Sequence, residues 1–311
     1  MHTLTESQVA DLLDPEQLVF ALETAFRDRY PSVLLPERSH LNTADGVFLT
    51  MSCYDPLQTS LGIKLVAVCE NSDPAVQATY LLLDPRTATI QATLPANDLT
   101  AIRTAATSAL ATRYLARGNA ATLALFGTGR EARAHLNVFT RLFSYQSILV
   151  CGHTPAKSEA FAAEFAPSLP IRAANAQTCA SQADIICACT NSPVPLFDGK
   201  LLRPGTHLNL VGSFQPQVRE VDSLAIARAW VYVDTYSAAL AEAGDILVPI
   251  GEGAIAREHI VSDLHELLSR KRPARTTPDQ ITIFKSVGCA LEDLVAAELV
   301  KRAARKLDRP I

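Results

Sequence analysis

The sequence predicts an α/β protein in which a doubly wound parallel sheet is joined to a smaller, discontinuous α+β domain. Apolar strands alternate with helices through the central part of the chain, and an antiparallel pattern precedes them. Composition is the third observation, because only 19% of the 311 residues are charged whereas 48% are hydrophobic. Such a chain is expected to bury much of its surface in a large core, an oligomer interface or both. The length suggests roughly two domains.

The N-terminal part is predicted to form a helix followed by a small antiparallel sheet. Residues 5–27 carry an apolar stripe at helical spacing, and Thr5 and Gln8 are placed as a capping box. Short apolar or alternating runs predict strands at residues 47–52, 62–68, 78–84 and 90–94. A helix is then expected over residues 99–117, ending at Gly118.

The pattern changes after residue 119. Strands are predicted at residues 122–126, 147–151, 171–173, 184–189, 207–211 and 230–233, with helices between them. Strands this apolar indicate a parallel sheet covered on both faces. The last segment, 288–307, reads as a single amphipathic helix, which cannot form a domain by itself. We therefore predict one domain from residues 1–118 with 286–311, and a second from residues 119–285.

A glycine-rich turn follows the strand at residues 122–126 and predicts a Rossmann-type dinucleotide site. Gly127 permits the tight turn, Gly129 lets the backbone approach a pyrophosphate, and Ala132 lets the helix pack closely on the strand. The N–H groups at the helix N-terminus would hold the phosphates. The candidate cofactor contacts in this turn are Gly127, Thr128, Gly129, Arg130, Glu131 and Ala132.

The position that contacts the adenosine ribose is expected about 20 residues further on, at the end of the second strand. A site for NAD(H) would place Asp or Glu there, but the first acidic residue is Glu159. The segment carries His153, Thr154 and Lys157 instead, which could accept a 2′-phosphate. The sequence therefore predicts NADP(H) in preference to NAD(H), which remains possible.

Two cations stand at unusual positions. Lys64 lies in the middle of an apolar strand, and Arg103 lies in the expected first turn of an alanine-rich helix, where the helix dipole disfavours a cation. Buried lysine and arginine are rare unless they are paired. Each could pair with a carboxylate of this protein, or the two could hold the carboxylate of a substrate, and the pattern leaves both alternatives open.

Other functional classes are disfavoured. The net charge of −4 gives no general attraction to nucleic acid or to an anionic membrane, and no apolar run approaches the length of a membrane span. Residues 1–16 lack the pattern of a signal peptide. The seven cysteines are scattered, as expected for reduced thiols in the cytoplasm. The seven histidines show no ligand spacing, so no metal site is predicted.

Five motifs in order along nearly the whole chain resemble the ornithine cyclodeaminase/mu-crystallin family. They are Gly62-x-Lys64-x-Val66, Leu99-Thr-x-x-Arg103-Thr-Ala-Ala-x-Ser108-Ala, Gly127-Thr-Gly129-x-x-Ala132-x-x-His135, Gly212-Ser-x-x-Pro216-x-x-Arg-Glu220-x-Asp222 and Phe284-Lys-Ser286-x-Gly288-x-Ala-x-Glu292-Asp293. The resemblance implies a homodimer. Its first, discontinuous domain would supply the dimer interface and much of the substrate pocket. The Rossmann domain would bind NAD(P), and hydride would pass between the nicotinamide and the α-carbon of an amino or imino acid.

The resemblance also implies roles for individual residues. Lys64 and Arg103 would contact the substrate carboxylate and carry the catalysis, and Arg38 is a third candidate contact from a looser match. Further cofactor contacts, near the nicotinamide half, would be Thr190, Asn191, Gly212, Ser286 and Gly288.

One position departs from the family pattern. Cyclodeaminases carry an aspartate two residues after the glycine that matches Gly212, and this chain has Phe214 there. Phenylalanine can neither accept a proton nor bind an ammonium group as a carboxylate does, so Phe214 indicates an apolar wall in the substrate pocket, unless its side chain turns away from it. The leading hypothesis is an NADPH-dependent reductase of small cyclic imino acids such as 1-pyrroline-2-carboxylate. The alternatives are an ornithine cyclodeaminase, a related amino-acid dehydrogenase and a non-catalytic NADPH-binding protein.

Overall fold

The computed structural model describes residues 4–69 and 76–307. The helices are α1 (Glu6–Leu12), α2 (Pro15–Thr24), α3 (Asn97–Leu115), α4 (Arg130–Leu142), α5 (Pro155–Phe165), α6 (Ala176–Gln182), α7 (Ser223–Ala227), α8 (Tyr236–Glu242), α9 (Gly244–Gly251), α10 (Leu264–Leu268) and α11 (Ala290–Lys306). The strands are β1 (Ser39–Asn42), β2 (Val47–Asp55), β3 (Ser60–Val68), β4 (Val76–Leu83), β5 (Ile90–Pro95), β6 (Thr122–Phe126), β7 (Ser147–Cys151), β8 (Ile171–Ala173), β9 (Ile185–Ala188), β10 (His207–Leu210), β11 (Ala229–Val233), β12 (Ile260–Asp263) and β13 (Ile281–Lys285).

The chain divides into two compact units. Unit 1 comprises Met1–Thr107 and Cys289–Ile311, and unit 2 comprises Ser108–Gly288. The first boundary falls inside α3, whereas the sequence placed it after that helix. The C-terminal half of α3 belongs to unit 2 because its groups bond there. The Thr112 hydroxyl accepts a hydrogen bond from Asn209, and the Leu115 carbonyl oxygen accepts one from Arg275.

The first predicted helix is two helices. Expecting one helix over residues 5–27 was wrong, because Asp14 caps a new helix and Pro15 occupies its first position. Proline has no N–H to continue a preceding helix, but it is tolerated in a first turn. The predicted capping box is confirmed, since Thr5 accepts a hydrogen bond from the Gln8 N–H and the Gln8 side chain accepts one from the Thr5 N–H.

Unit 1 is built on an antiparallel sheet of order β1-β2-β3-β4-β5. The sequence missed β1, whose residues are all exposed and mostly polar, so that no apolar alternation marks it. Helix α11 packs against β2, β3, β4 and α2, as expected of a C-terminal helix that returns to the N-terminal part. The opposite face of the sheet leaves apolar side chains partly exposed, among them Phe48 and Leu65.

Unit 2 contains a parallel sheet of order β12-β11-β13-β10-β9-β6-β7-β8, with helices between the strands, which confirms the predicted fold class. Its strands are almost entirely buried, including Leu149, Ile186, Leu208, Val231 and Ile283. The sequence missed β12 and β13 because polar residues interrupt their apolar runs. Strand β13 lies between β10 and β11 and nevertheless buries Lys285 completely.

No disulfide joins any of the seven cysteines, all of which lie in the described parts of the chain. Within residues 4–69 and 76–307, no helix combines the length and hydrophobicity that a membrane span requires. The low charge of the sequence thus corresponds to buried parallel strands in unit 2 and to the covered face of the sheet in unit 1.

Candidate active site

The glycine-rich turn joins β6 to α4 at the point where the strand order reverses. From β6 the chain runs outward through β7 and β8, and then crosses back to β9 on the other side of β6. Gly127 has a φ of +107°, and a Cβ on it would lie 2.5 Å from the carbonyl oxygen of Cys189. Only glycine fits this turn. Ligands of doubly wound sheets bind at such a switch point, beyond the carboxyl ends of the strands.

Gly129, unlike Gly127, has open space where a side chain would lie. It is the N-cap residue of α4, and a Cβ added to it would meet nothing within 4 Å. The space beside Gly129 is therefore open to a ligand, next to the N–H groups at the start of a 13-residue helix that no side chain caps. Ala132 is fully buried and lets α4 pack against the sheet. These features fit the pyrophosphate of a dinucleotide, with Thr128, Arg130 and Glu131 completing the turn.

The segment after β7 lies beside this turn. A Cβ on Gly152 would lie 2.8 Å from the Cγ2 of Thr128, so the two segments are in contact. His153, Thr154 and Lys157 are exposed, and the Thr154 hydroxyl caps α5 by accepting a hydrogen bond from the Lys157 N–H. No carboxylate stands at residues 152–158.

Lys64 and Arg103 meet on a shared carboxylate in unit 1. The Nζ of Lys64 lies 2.9 Å from the Oδ1 and 2.7 Å from the Oδ2 of Asp293. The Nε of Arg103 donates to the same Oδ1 at 2.9 Å, and its Nη1 donates to Glu292 at 2.6 Å. All four residues are buried. Both cations are thus paired within the protein, which was one of the two alternatives, and the pairing holds them side by side.

Burial and neighbouring charges adjust the proton affinity of this cluster. Desolvation lowers the pKa of Lys64 to about 8, opposed by Asp293 and assisted by Arg103 and Arg38. Burial raises the pKa of Asp293, but Arg103 and Lys64 outweigh it and hold the pKa below its usual value. Lys64 is therefore an ammonium group at neutral pH. It loses its proton at a pH only slightly above neutral.

Arg38 lies close enough to Lys64 to lower the pKa of the lysine, so the structure gathers all three predicted carboxylate contacts. A cluster of cations of this kind can bind a carboxylate group.

The expectation that Arg103 opposes the dipole of its helix was wrong. Helix α3 begins at Asn97, two residues earlier than predicted, which moves Arg103 into the second turn. The N-terminus of α3 is stabilised by Glu6, whose carboxylate accepts hydrogen bonds from the N–H groups of Asn97 and Asp98.

Gly62 has a steric reason to precede Lys64 by two residues. Tyr80 is paired with Lys64 across β3 and β4, and its phenol lies over Gly62. A Cβ at residue 62 would lie 1.8 Å from the Tyr80 hydroxyl oxygen. Gly62 therefore leaves the room that lets an aromatic ring cover the sheet beside Lys64.

The residues predicted near the nicotinamide lie on loops beyond the strands of unit 2. Thr190 and Gly212 donate hydrogen bonds to the Glu220 carboxylate, each over 2.8 Å. Ser286 and Gly288 donate to Asp234 over 2.9 and 2.8 Å. Asn191 and Phe214 stand exposed on the same two loops as Thr190 and Gly212, with Phe214 39% exposed.

Sequence reasoning missed the carboxylates that organise both groups of residues. Glu292, Asp293 and Glu220 belong to two of the five motifs, but the motifs gave them no role. Asp234 directly follows one buried strand, and Lys285 is the last residue of another. The signal that drew attention to Lys64, a charge within an apolar run, was present at both positions.

The fold and the glycine-rich turn define a protein of the dinucleotide-binding class with a separate cationic site in its other unit. The model of the ornithine cyclodeaminase/mu-crystallin family matches residues 1–307, and the chain belongs to this family.

Named relatives are similar over most of their length. Ketimine reductase mu-crystallin of Rattus norvegicus is 35% identical over 274 residues, which cover 86% of this chain and 84% of that protein. A Delta(1)-pyrroline-2-carboxylate reductase of Bacillus cereus is 35% identical over 278 residues, covering 87% and 84%. The solved structure of the Thermococcus litoralis Delta(1)-pyrroline-2-carboxylate reductase, in complex with NADH and L-proline, has a TM-score of 0.95 at 30% identity, covering 100% of this chain and 99% of that one. The chain is accordingly an NAD(P)-dependent oxidoreductase.

Proposed function

We propose that the protein is an NADPH-dependent reductase of small cyclic imino acids of the 1-pyrroline-2-carboxylate or ketimine type. The observation that carries this proposal is the buried pair of Lys64 and Arg103 on Asp293, with Arg38 beside it. A buried cluster of lysine and arginine side chains suits the carboxylate of a small acid. Two of the similar proteins described above are named for reduction of such compounds.

In the proposed reaction, Arg103 and Arg38 hold the substrate carboxylate, and the planar guanidinium of Arg103 fixes its orientation. When bound, a reduced nicotinamide supplies a hydride to the imine carbon next to that carboxylate. Lys64 donates its proton to the imine nitrogen, so that C=N becomes CH–NH, and the lysine then regains a proton from solvent. A pKa of about 8 suits this role, because a general acid works best near the operating pH.

Phe214 supports reduction over cyclodeamination. Phe214 lies two residues after Gly212, in the loop that follows β10. It occupies the position where cyclodeaminases carry aspartate. A phenyl group offers an amino group of a diamino acid neither charge nor hydrogen-bond acceptor. It suits the apolar ring carbons of a cyclic imine instead.

An NADPH-oxidation assay tests the proposal directly. We expect turnover with 1-pyrroline-2-carboxylate or 1-piperideine-2-carboxylate, less with pyruvate plus ammonia, and no ammonia release from ornithine. Ornithine-dependent ammonia release with only catalytic nucleotide would establish the cyclodeaminase instead. Tight NADPH binding without oxidation across the panel would indicate a non-catalytic binding protein.

The preference for NADPH is a separate prediction. We expect NADPH to bind at least about tenfold more tightly than NADH, because His153, Thr154 and Lys157 offer donors or positive charge where an acid would serve NADH. Lys157→Ala should weaken NADPH binding alone, and His153→Asp should reverse the preference. Calorimetric titration of both nucleotides measures this, with Lys200→Ala, an exposed lysine of the same unit, as the control. Equal affinities in the unaltered protein contradict the prediction.

We further propose a homodimer in the cytoplasm. The face of the unit 1 sheet opposite α11 supports the dimer, because it presents Phe48 and Leu65, each 42% exposed, on a surface that a partner would cover. Seven cysteines without a disulfide among them support a reducing compartment.

A further inference from the structure

Three charged residues are buried together at the carboxyl ends of the strands of unit 2. Glu220, Asp245 and Lys285 are each 0% exposed. Taking charged groups out of water costs several kcal/mol for each ion, so such groups persist where they are paired and hydrogen-bonded. None of the three was assigned a role by the sequence motifs or by the proposed reaction.

The Glu220 carboxylate joins two consecutive loops. Its Oε1 accepts hydrogen bonds from the backbone N–H and the hydroxyl of Thr190, and its Oε2 accepts one from the N–H of Gly212, each over 2.8 Å. These residues follow β9 and β10, which are neighbours in the sheet. The loops are so close that a Cβ on Gly212 would lie 2.0 Å from the Thr190 carbonyl oxygen.

Asp245 and Lys285 hold the second loop at both of its ends. The Oδ1 of Asp245 accepts a hydrogen bond from the Glu220 N–H over 2.7 Å, and its Oδ2 lies 2.9 Å from the Nζ of Lys285. Lys285 also donates to the carbonyl oxygen of Ser213 over 2.5 Å. The segment that carries Phe214 is therefore fixed at Ser213 on one side and at Glu220 on the other.

Asp184, elsewhere in the same sheet, also joins neighbouring segments through its carboxylate, and we call a carboxylate with such contacts a brace. Its role is purely structural, so it serves as a comparison for Glu220. Asp184 accepts hydrogen bonds from the N–H groups of Ala121 and Thr122 over 2.9 and 3.0 Å and pairs with Arg117. It lies at the amino ends of β6 and β9, away from the edge where ligands of such sheets bind. Glu220 forms the same kind of brace at the carboxyl edge.

We propose that Glu220, supported by Asp245 and Lys285, is a positioning residue that sets the loops at residues 190–191 and 212–214 for the nicotinamide and the substrate. The inference rests on the proposed function in that these loops are taken to face the reacting groups. Glu220 touches neither ligand itself and acts through Thr190, Gly212 and the segment that ends at Phe214.

The test compares Glu220→Gln with Asp184→Asn in the full-length protein. In each variant an amide nitrogen replaces one acceptor oxygen: in Glu220→Gln this removes a backbone hydrogen bond to Thr190 or Gly212, and in Asp184→Asn it removes either the backbone bonds or the ion pair with Arg117. We expect Glu220→Gln to weaken NADPH binding about tenfold, the value of one hydrogen bond to a charged group, and to lower kcat. Hydrogen exchange in the nucleotide-free protein should accelerate at residues 190–193 and 212–218. Asp184→Asn should lower the melting temperature while leaving NADPH affinity and exchange in those loops unchanged.

Thr190→Val is the milder second variant, because it removes only the hydroxyl donor and should weaken NADPH binding severalfold. Equal NADPH affinities and equal loop exchange in Glu220→Gln and Asp184→Asn would overturn the inference. If the unaltered protein fails to bind NADPH or NADH, the proposed function is at fault, and the exchange comparison still tests the brace alone.

Discussion

Replacing Lys64 with methionine is expected to lower kcat/KM for imine reduction by about a thousandfold, while the affinity for NADPH stays unchanged. Methionine preserves most of the side-chain volume but has neither charge nor proton to give. Asp293 keeps its contact with Arg103 in this variant, so the carboxylate is not left unpaired. Steady-state kinetics with 1-pyrroline-2-carboxylate and a binding titration with NADPH measure the two effects.

A second variant of Lys64 separates the contribution of its charge from that of its proton, and a variant of another lysine serves as the control. Lys64→Arg retains the charge but cannot give up a proton near neutral pH, so it should be nearly as impaired as Lys64→Met if the lysine is the proton donor. Lys301→Met changes another lysine of unit 1, one that bonds Gln91, and should leave turnover unchanged. Turnover in Lys64→Met within a few fold of the unaltered protein would reject the role of Lys64.

Replacing Asp293 with asparagine should affect both stability and the pH profile. Asp293 is completely buried between two cations, and removing one member of a buried ion pair lowers the free energy of unfolding by about 3 kcal/mol. Denaturant unfolding at pH 7 measures this loss. At that pH the carboxylate is ionised in the folded and unfolded states alike, because Arg103 and Lys64 outweigh the effect of burial and hold its pKa below its usual value.

The pH profile follows from the pKa of Lys64, which is about 8 in the folded protein. Activity that needs the protonated lysine is present below this pH and is lost as the pH rises through it. Asp293 is the group that raises the pKa of Lys64, so the fall in kcat/KM should move to lower pH in Asp293→Asn. A profile that does not move in this variant contradicts the assignment.

Asp55→Asn supplies the control for Asp293. Asp55 is also completely buried in unit 1, where it pairs with Arg29 over 2.5 Å and accepts a hydrogen bond from the Leu57 N–H. We expect a comparable loss of stability and no displacement of the pH profile, because Asp55 is not among the groups that set the pKa of Lys64.

Short-range patterns in the sequence determined the parts of the protein whose cause is local. The turn at Gly127 needs a positive φ, and the strand before it and the helix after it have distinct apolar periods, so a dinucleotide site could be predicted from adjacent residues. The absence of acidic residues at positions 152–158, directly after β7, was equally local. Elements without an apolar period could not be predicted in this way. Examples are β1, which is exposed, and β13, which carries the buried Lys285.

Only the tertiary structure decided how the charged residues combine. Asp293 lies 229 residues from Lys64 in the chain, and α11 brings it onto the sheet because the apolar face of that helix must be buried. Likewise Glu220 reaches the loops after β9 and β10 only because those strands are neighbours. A single sequence displays which residues are charged. The partner of each charge depends on the packing of distant elements, since a buried ion is stable only where the fold supplies its counter-ion.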